Sequence, residues 1–339
     1  FTWFIGCVTW AAETQGLITV LASVFPIFKE PFINRVTVIL IAVGLAFINY
    51  LGIKFSKFLN NTVTVCKLIP LIFFILIGIF FIKGQNFTPL VSGIKEGLFN
   101  GNYGNTSLII FYAFTGFDLL AVAAEEMDNP QKNLPRALMT VISFVSFFYL
   151  LIMVVCIGLL GKNLAFSSVP IASATAVFLG NAGFLFVTIA TLISIGGITI
   201  ALSFIAPQSA QALAENKYLP SFLNKKSQFG TPGWAILITT IIVICLANSG
   251  NFIYLASLTV IARLIEYIPT IIAVLVLRKK NKTPALYTVP GGIIIPLFAF
   301  LISCWLLFNA SWDKLLFGAS GLLFGALIYM FYVRKNLSN

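Results

Sequence analysis

Apolar residues recur along this chain in runs of about 20, separated by short polar stretches rather than by alternating polar positions. A run of that length crosses the hydrocarbon of a bilayer as one helix, and a soluble core has no use for so many of them. Ten spans are predicted: Thr2–Phe25, Val36–Ile53, Val63–Ile82, Thr106–Ala124, Ala137–Leu160, Ala182–Ala206, Trp234–Ala247, Phe252–Leu277, Gly292–Phe308 and Leu315–Tyr332. The seventh is the shortest. The fold class read from this pattern is an all-α polytopic membrane protein.

One run departs from the rest: FYAFTGFDLLAVAAEEMDNPQKNLPRA, Phe111 to Ala137. Thr115 and Gly116 interrupt an aromatic-rich segment at membrane depth, and Asp118 follows at once. A helix interrupted there frees backbone N–H and C=O groups that can hold a carboxylate or an ammonium. A lone glycine would point instead to close helix packing. Thr-Gly beside an intramembrane Asp, with Tyr112, Phe114 and Phe117 around it, favours a break. Glu125, Glu126 and Asp128, followed by Asn129-Pro130, Lys132, Pro135 and Arg136, read as a helix end and an ordered inner loop.

Composition agrees with the spans. Apolar residues make up 59% of the chain, charged residues 9%, and the mean hydropathy is +1.01, whereas soluble domains carry about 25% charged residues. The net charge of +11 lacks a dense basic run with interleaved aromatics, so nucleic acid is not an expected partner. Lysine and arginine set topology instead. With the first span running outward, thirteen fall on cytoplasmic segments (Lys54, Lys57, Lys132, Arg136, Lys217, Lys225, Lys226, Arg278, Lys279, Lys280, Lys282, Arg334, Lys335) and six opposite, which predicts a cytoplasmic C-terminus.

Histidine is absent, and the five cysteines lie singly in apolar runs. No disulfide framework, metal centre or cofactor is expected, and no nucleophile–base pair suggests an enzyme. The chain opens Phe1-Thr2-Trp3 inside an apolar run, without the charged region or cleavage site of a signal peptide. That opening reads as an incomplete sequence.

Few ionisable residues fall within spans: Glu13, Lys67, Asp118 and the pair Arg263/Glu266. Each costs on the order of 3 kcal/mol at the bilayer centre, so each faces protein or water. Arg263 and Glu266, three apart on one helix, can neutralise each other. Glu13 either holds a neighbouring helix or lines a path. Lys67, with no opposite charge within a turn, is a proton carrier or a stand-in for a bound cation, or it snorkels to the membrane edge.

The same stretch resembles the amino acid–polyamine–organocation superfamily, whose sixth span reads F-x-A-[FY]-x-G-[FY]-[ED]…E-E-x-x-N-P-x-x-x-x-P-x-A. Here Phe111, Ala113, Phe114, Gly116, Phe117, Asp118, Glu125-Glu126, Asn129-Pro130, Pro135 and Ala137 match. ALAENKYLP (Ala212–Pro220), GTPGWAIL (Gly230–Leu237), YTVPGGIIIP (Tyr287–Pro296) and Trp10–Glu13 are weaker, collinear matches; Asn216-Lys217 stands where the family has Asp-Gly.

The resemblance implies a LeuT-type inverted-repeat fold in which this chain carries family spans three to twelve. It would be a single transporter domain over 1–339, N-terminally truncated by two spans, with 106–124 its broken substrate-binding helix. It further implies that Tyr112, Ala113, Phe114, Thr115, Gly116 and Phe117 bind substrate, and that Lys67, Asp118 and Glu13 serve coupling. The implied activity is secondary active amino acid transport, driven by protons or by a counter-transported amino acid, in a bacterial inner membrane. The nearest alternative is a polyamine or glutamate/GABA-type exchanger of the same superfamily. A receptor or channel is the alternative of another class.

Overall fold

The computed structural model describes residues 1–52, 57–88, 101–117, 127–280 and 291–330. These form ten α-helices and no strand: α1 (Thr2–Val24), α2 (Pro31–Tyr50), α3 (Lys57–Gly78), α4 (Gly101–Tyr112), α5 (Pro130–Leu160), α6 (Pro170–Glu215), α7 (Gly233–Ala247), α8 (Phe252–Lys280), α9 (Ile294–Phe308) and α10 (Trp312–Ile328). Each of the ten predicted spans therefore contains a helix. By length and composition α1, α2, α3, α5, α6 and α8 can cross a bilayer. Helices α9 and α10, bent by 117° at their junction, make a seventh crossing if taken together. Helix α7, at 15 residues, reaches only about 22 Å, short of the roughly 30 Å hydrocarbon core. Large apolar side chains stand exposed along these helices, among them Leu40, Phe80, Phe147 and Phe298. This is the surface of a protein whose solvent is lipid.

The chain folds as two compact units. The first comprises Phe1–Ser92, Leu150–Leu255 and Leu322–Asn339. Helix α1 is its centre, with Ile5, Cys7, Val8, Trp10, Ala11 and Ala12 buried, and it packs on α6 and α7. Small residues permit the approach: a Cβ on Gly6 would lie 3.3 Å from the Ala206 Cβ. Polar side chains pin the same helix. The Trp3 indole N–H donates to Thr239 Oγ1 at 3.0 Å, and Gln15 Nε2 donates to the Ala247 carbonyl at 2.8 Å and to Asn34 Oδ1 at 3.1 Å. Away from water, such groups hold their segments in register because an unpaired one is costly. Helix α3 joins the unit through α6, with the Phe73 ring edge-on to Phe186 at 6.0 Å.

Helix α6 is broken at Gly180, where φ is +62° and ψ −152°, a backbone geometry that glycine adopts readily and other residues do not. Farther along it does what the sequence did not predict. The expected end at Ala206 precedes Pro207, yet the helix continues to Glu215. Proline has no N–H, so the carbonyl four residues back, on Ser203, loses its helical partner. Asn49 of α2 supplies the replacement, its Nδ2 donating to Ser203 O at 2.7 Å and to Ser203 Oγ at 3.2 Å. Both residues are buried. Asn49→Ala is expected to cost about 1–3 kcal/mol by orphaning that carbonyl. Pro207→Ala, by returning the N–H, should recover part of the loss in the double variant. Thermal melting of the three variants in detergent checks this, and simply additive losses would show that the two residues act separately.

The second unit comprises Gly93–Tyr149 and Ala256–Gly321. Leu108 of α4 is fully buried in its core with Val260, Ile261, Leu264, Leu306 and Ala310. At Gly104 even a Cβ would overlap the Asn309 side chain, so glycine fixes how closely α4 meets the end of α9. Arg263, 7% exposed, lies within this unit on α8, with the half-buried Glu266 one turn on. At the start of α5, Asn129 adopts φ +48° and Pro130 takes the first helical position. The helix then runs through Pro135 rather than restarting after it. Glu125 and Glu126 lie outside the described residues.

Candidate functional site

Helix α4 stops at Tyr112 within an apolar stretch, and residues 113–117 form turns. The hydrogen bonding changes register there. Ala113 N donates to Ile110 O at 3.1 Å, Phe114 N to Phe111 O at 3.0 Å and Thr115 N to Tyr112 O at 3.0 Å. These are three-residue closures, one shorter than the α-helical spacing, and they tighten the last turn until it cannot propagate. The Thr115 hydroxyl donates to the same Tyr112 carbonyl at 2.7 Å, which draws that oxygen away from a further helical N–H.

Gly116 follows with φ +100°. Among the described residues, and leaving out its two chain neighbours, no heavy atom lies within 4 Å of where its Cβ would sit, so it is the left-handed backbone that demands glycine here. Beyond it, the N–H groups of Gly116 and Phe117 find no hydrogen-bond partner among the described residues. A chain that ends its helix at membrane depth leaves such groups for a ligand or for water.

The turn borders a groove of about 270 Å³. One wall is Ala113–Phe117; the other is a stripe of α5, Leu138, Val141, Ile142, Val145 and Tyr149, at helical spacings of three and four. Among the described residues, the Tyr149 phenol is the one ionisable group that lines it. Tyr149 ties the walls together: its ring meets Phe114 edge-on at 5.5 Å, and its hydroxyl donates to the Ala113 carbonyl across 3.4 Å. On the far side of the turn, Phe117 lies 5.8 Å from the Tyr267 ring of α8. Tyr149 and Tyr267 were not singled out by sequence. A phenol inside an apolar run was the available signal, but ten tyrosines made it unspecific.

Five of the six predicted substrate residues, Ala113 to Phe117, are thus contiguous at one groove in the second unit, whereas Tyr112, the last residue of α4, packs against the core around Leu108 instead. Asp118 lies outside the described residues. Glu13 and Lys67 belong to the first unit. Glu13 is half-buried on α1 between the buried Ala12 and Thr14. Lys67 is half-buried on α3, with no acidic partner among the described residues. Pro70 sits three residues on and removes the N–H that would have bonded the Cys66 carbonyl. A freed carbonyl therefore lies next to the lysine in sequence.

Long apolar helices, with one helix giving way to a turn beside a groove of ligand size, fit the build of a membrane transporter. The chain belongs to the amino acid permease family, whose sequence profile matches residues 1–332, and so to transporters rather than enzymes. It is 34% identical to an uncharacterised transporter of Mycobacterium tuberculosis over 69% of this chain and 52% of the relative. It is similar to two Bacillus subtilis proteins. One is a methylthioribose transporter, 26% identical over 84% of this chain and 61% of the relative. The other is the branched-chain amino acid permease BcaP, 28% identical over 87% of this chain and 63% of the relative. The chain spans about half to three-fifths of the length of these relatives.

Proposed function

We propose that the chain moves amino acids by secondary active transport, with alternating access around the turn at 112–117. The observation that carries this reading is the end of α4: Gly116 at φ +100°, with its own N–H and that of Phe117 unpartnered among the described residues, next to a groove lined by aliphatic side chains. Backbone dipoles suit the ammonium and carboxylate common to all amino acids. The stripe Leu138, Val141, Ile142 and Val145 suits an apolar side chain, and the similarity to a branched-chain amino acid permease points the same way. A polyamine fits less well, since no carboxylate lines the groove among the described residues.

Energy comes from protons or from a counter-transported amino acid, with Lys67, Glu13 and Asp118 as the coupling groups. Thirteen lysines and arginines on one side against six on the other support an inner-membrane protein with a cytoplasmic C-terminus. Reconstitution into proteoliposomes, with uptake of radiolabelled amino acids at two pH values and with or without internal substrate, tests the reading. Leucine, isoleucine and valine are expected to lead the panel. Conductance without uptake would replace the transporter by a channel.

A further inference from the structure

Within the first unit, α2 and α7 pack side by side and enclose a second groove, of about 600 Å³. From α2 come Val43, Ala46, Phe47 and Tyr50, at intervals of three, one and three, which is a single helical stripe. Helix α7 supplies Trp234, Leu237 and Thr240, the matching stripe. The two walls are apolar and half-open: Phe47 is 61% exposed and Trp234 53%. Seven residues of helix make a trough about 10 Å long.

The trough is closed chemically at one end only. Lys225 and Lys226 line that end, in the segment that leads from the short turn Ser221–Asn224 to α7. Both are exposed, and neither pairs with an acid among the described residues. Among the described residues, no acidic side chain lines the groove. Aromatic rings collect at the same level. Tyr50 lies 5.6 Å from Phe229, and Trp234 is perpendicular to Phe222 at 6.3 Å. A Cβ on Gly233 would come within 3.1 Å of the Tyr50 ring, so glycine there admits the tyrosine to the mouth. Tyrosine, tryptophan and lysine at one helix end mark the level of lipid head groups.

We propose that this groove binds an anionic glycerophospholipid, one acyl chain along the α2–α7 trough and its phosphate between Lys225 and Lys226. A soluble anion would leave the apolar walls uncovered. A zwitterionic lipid would cover them but leave both lysines without net compensation. An anionic lipid satisfies trough and mouth together, as basic pockets between membrane helices do. The assignment requires only that the helices sit in a bilayer; it does not depend on the substrate or coupling.

Native mass spectrometry of the purified full chain, loaded with phosphatidylglycerol or with phosphatidylcholine of the same acyl chains, tests it. Phosphatidylglycerol should be retained preferentially, by on the order of fivefold for each lysine. Lys225→Ala/Lys226→Ala should abolish the preference, while Lys132→Ala leaves it unchanged. Equal retention of the two lipids, or an undiminished preference in the double variant, overturns the proposal. So does displacement of the lipid by millimolar inorganic phosphate, which would make the lysines a free-anion site.

Discussion

Gly116→Ala is expected to weaken substrate binding about 10- to 100-fold and to bring uptake close to background, although it adds a single methyl group. The reason is conformational. With φ at +100°, an L-residue is held in a region costing on the order of 1–3 kcal/mol, and the turn relaxes by moving the backbone that follows it. Since nothing among the described residues, its two chain neighbours aside, lies within 4 Å of the added Cβ, Gly116→Leu should do little more harm than alanine. That near-equality separates a backbone role from a packing role. Binding of radiolabelled substrate to purified protein checks it, with thermal melting to confirm folding. Normal affinity in the alanine variant, with loss only in leucine, would return Gly116 to simple packing.

Lys67→Ala, in the full-length protein, is expected to lose proton-driven accumulation while keeping exchange of internal for external substrate. The lysine is half-buried on a membrane helix with no acidic partner among the described residues. Lys67→Arg distinguishes two versions of the role. Arginine keeps the positive charge but does not release its proton. A proton carrier is therefore lost in both variants, whereas a fixed stand-in for a bound cation survives as arginine. Uptake at two pH values reads both. Unchanged pH dependence in Lys67→Ala would remove Lys67 from coupling altogether.

Much of the fold was legible because membrane helices announce themselves locally. Each needs only its own residues to satisfy its backbone and its own apolar side chains to face lipid. All ten predicted spans accordingly contain a helix, and α1, α7 and α8 begin within a residue or so of the expected position. Ends set by proline fared worse. The sequence pattern ended a span at Ala206 and began one at Ala137, whereas α6 passes through Pro207 and α5 through Pro135. At Pro207 the cause is a hydrogen bond from a residue 154 positions away. The candidate site divides in the same way. Tyr112–Phe117 could be named from the Thr-Gly interruption and its aromatic neighbours, while the facing wall of α5 could not.

Membership of the amino acid permease family, the places of the helices along the chain, and the one run that carries an interruption were all readable from the residues in order. Those properties follow from apolar run length and local motif, which are read residue by residue. Which distant groups meet emerges with the packing: Asn49 at the carbonyl that Pro207 frees, Tyr149 across the turn from Ala113, and the stripe ending at Tyr50 beside Lys225 and Lys226. A freed carbonyl, an open turn or an exposed lysine requires a partner but does not specify where in the chain it comes from. Helix packing supplies that choice, because register and crossing are set by the fit of whole helix faces rather than by any single residue.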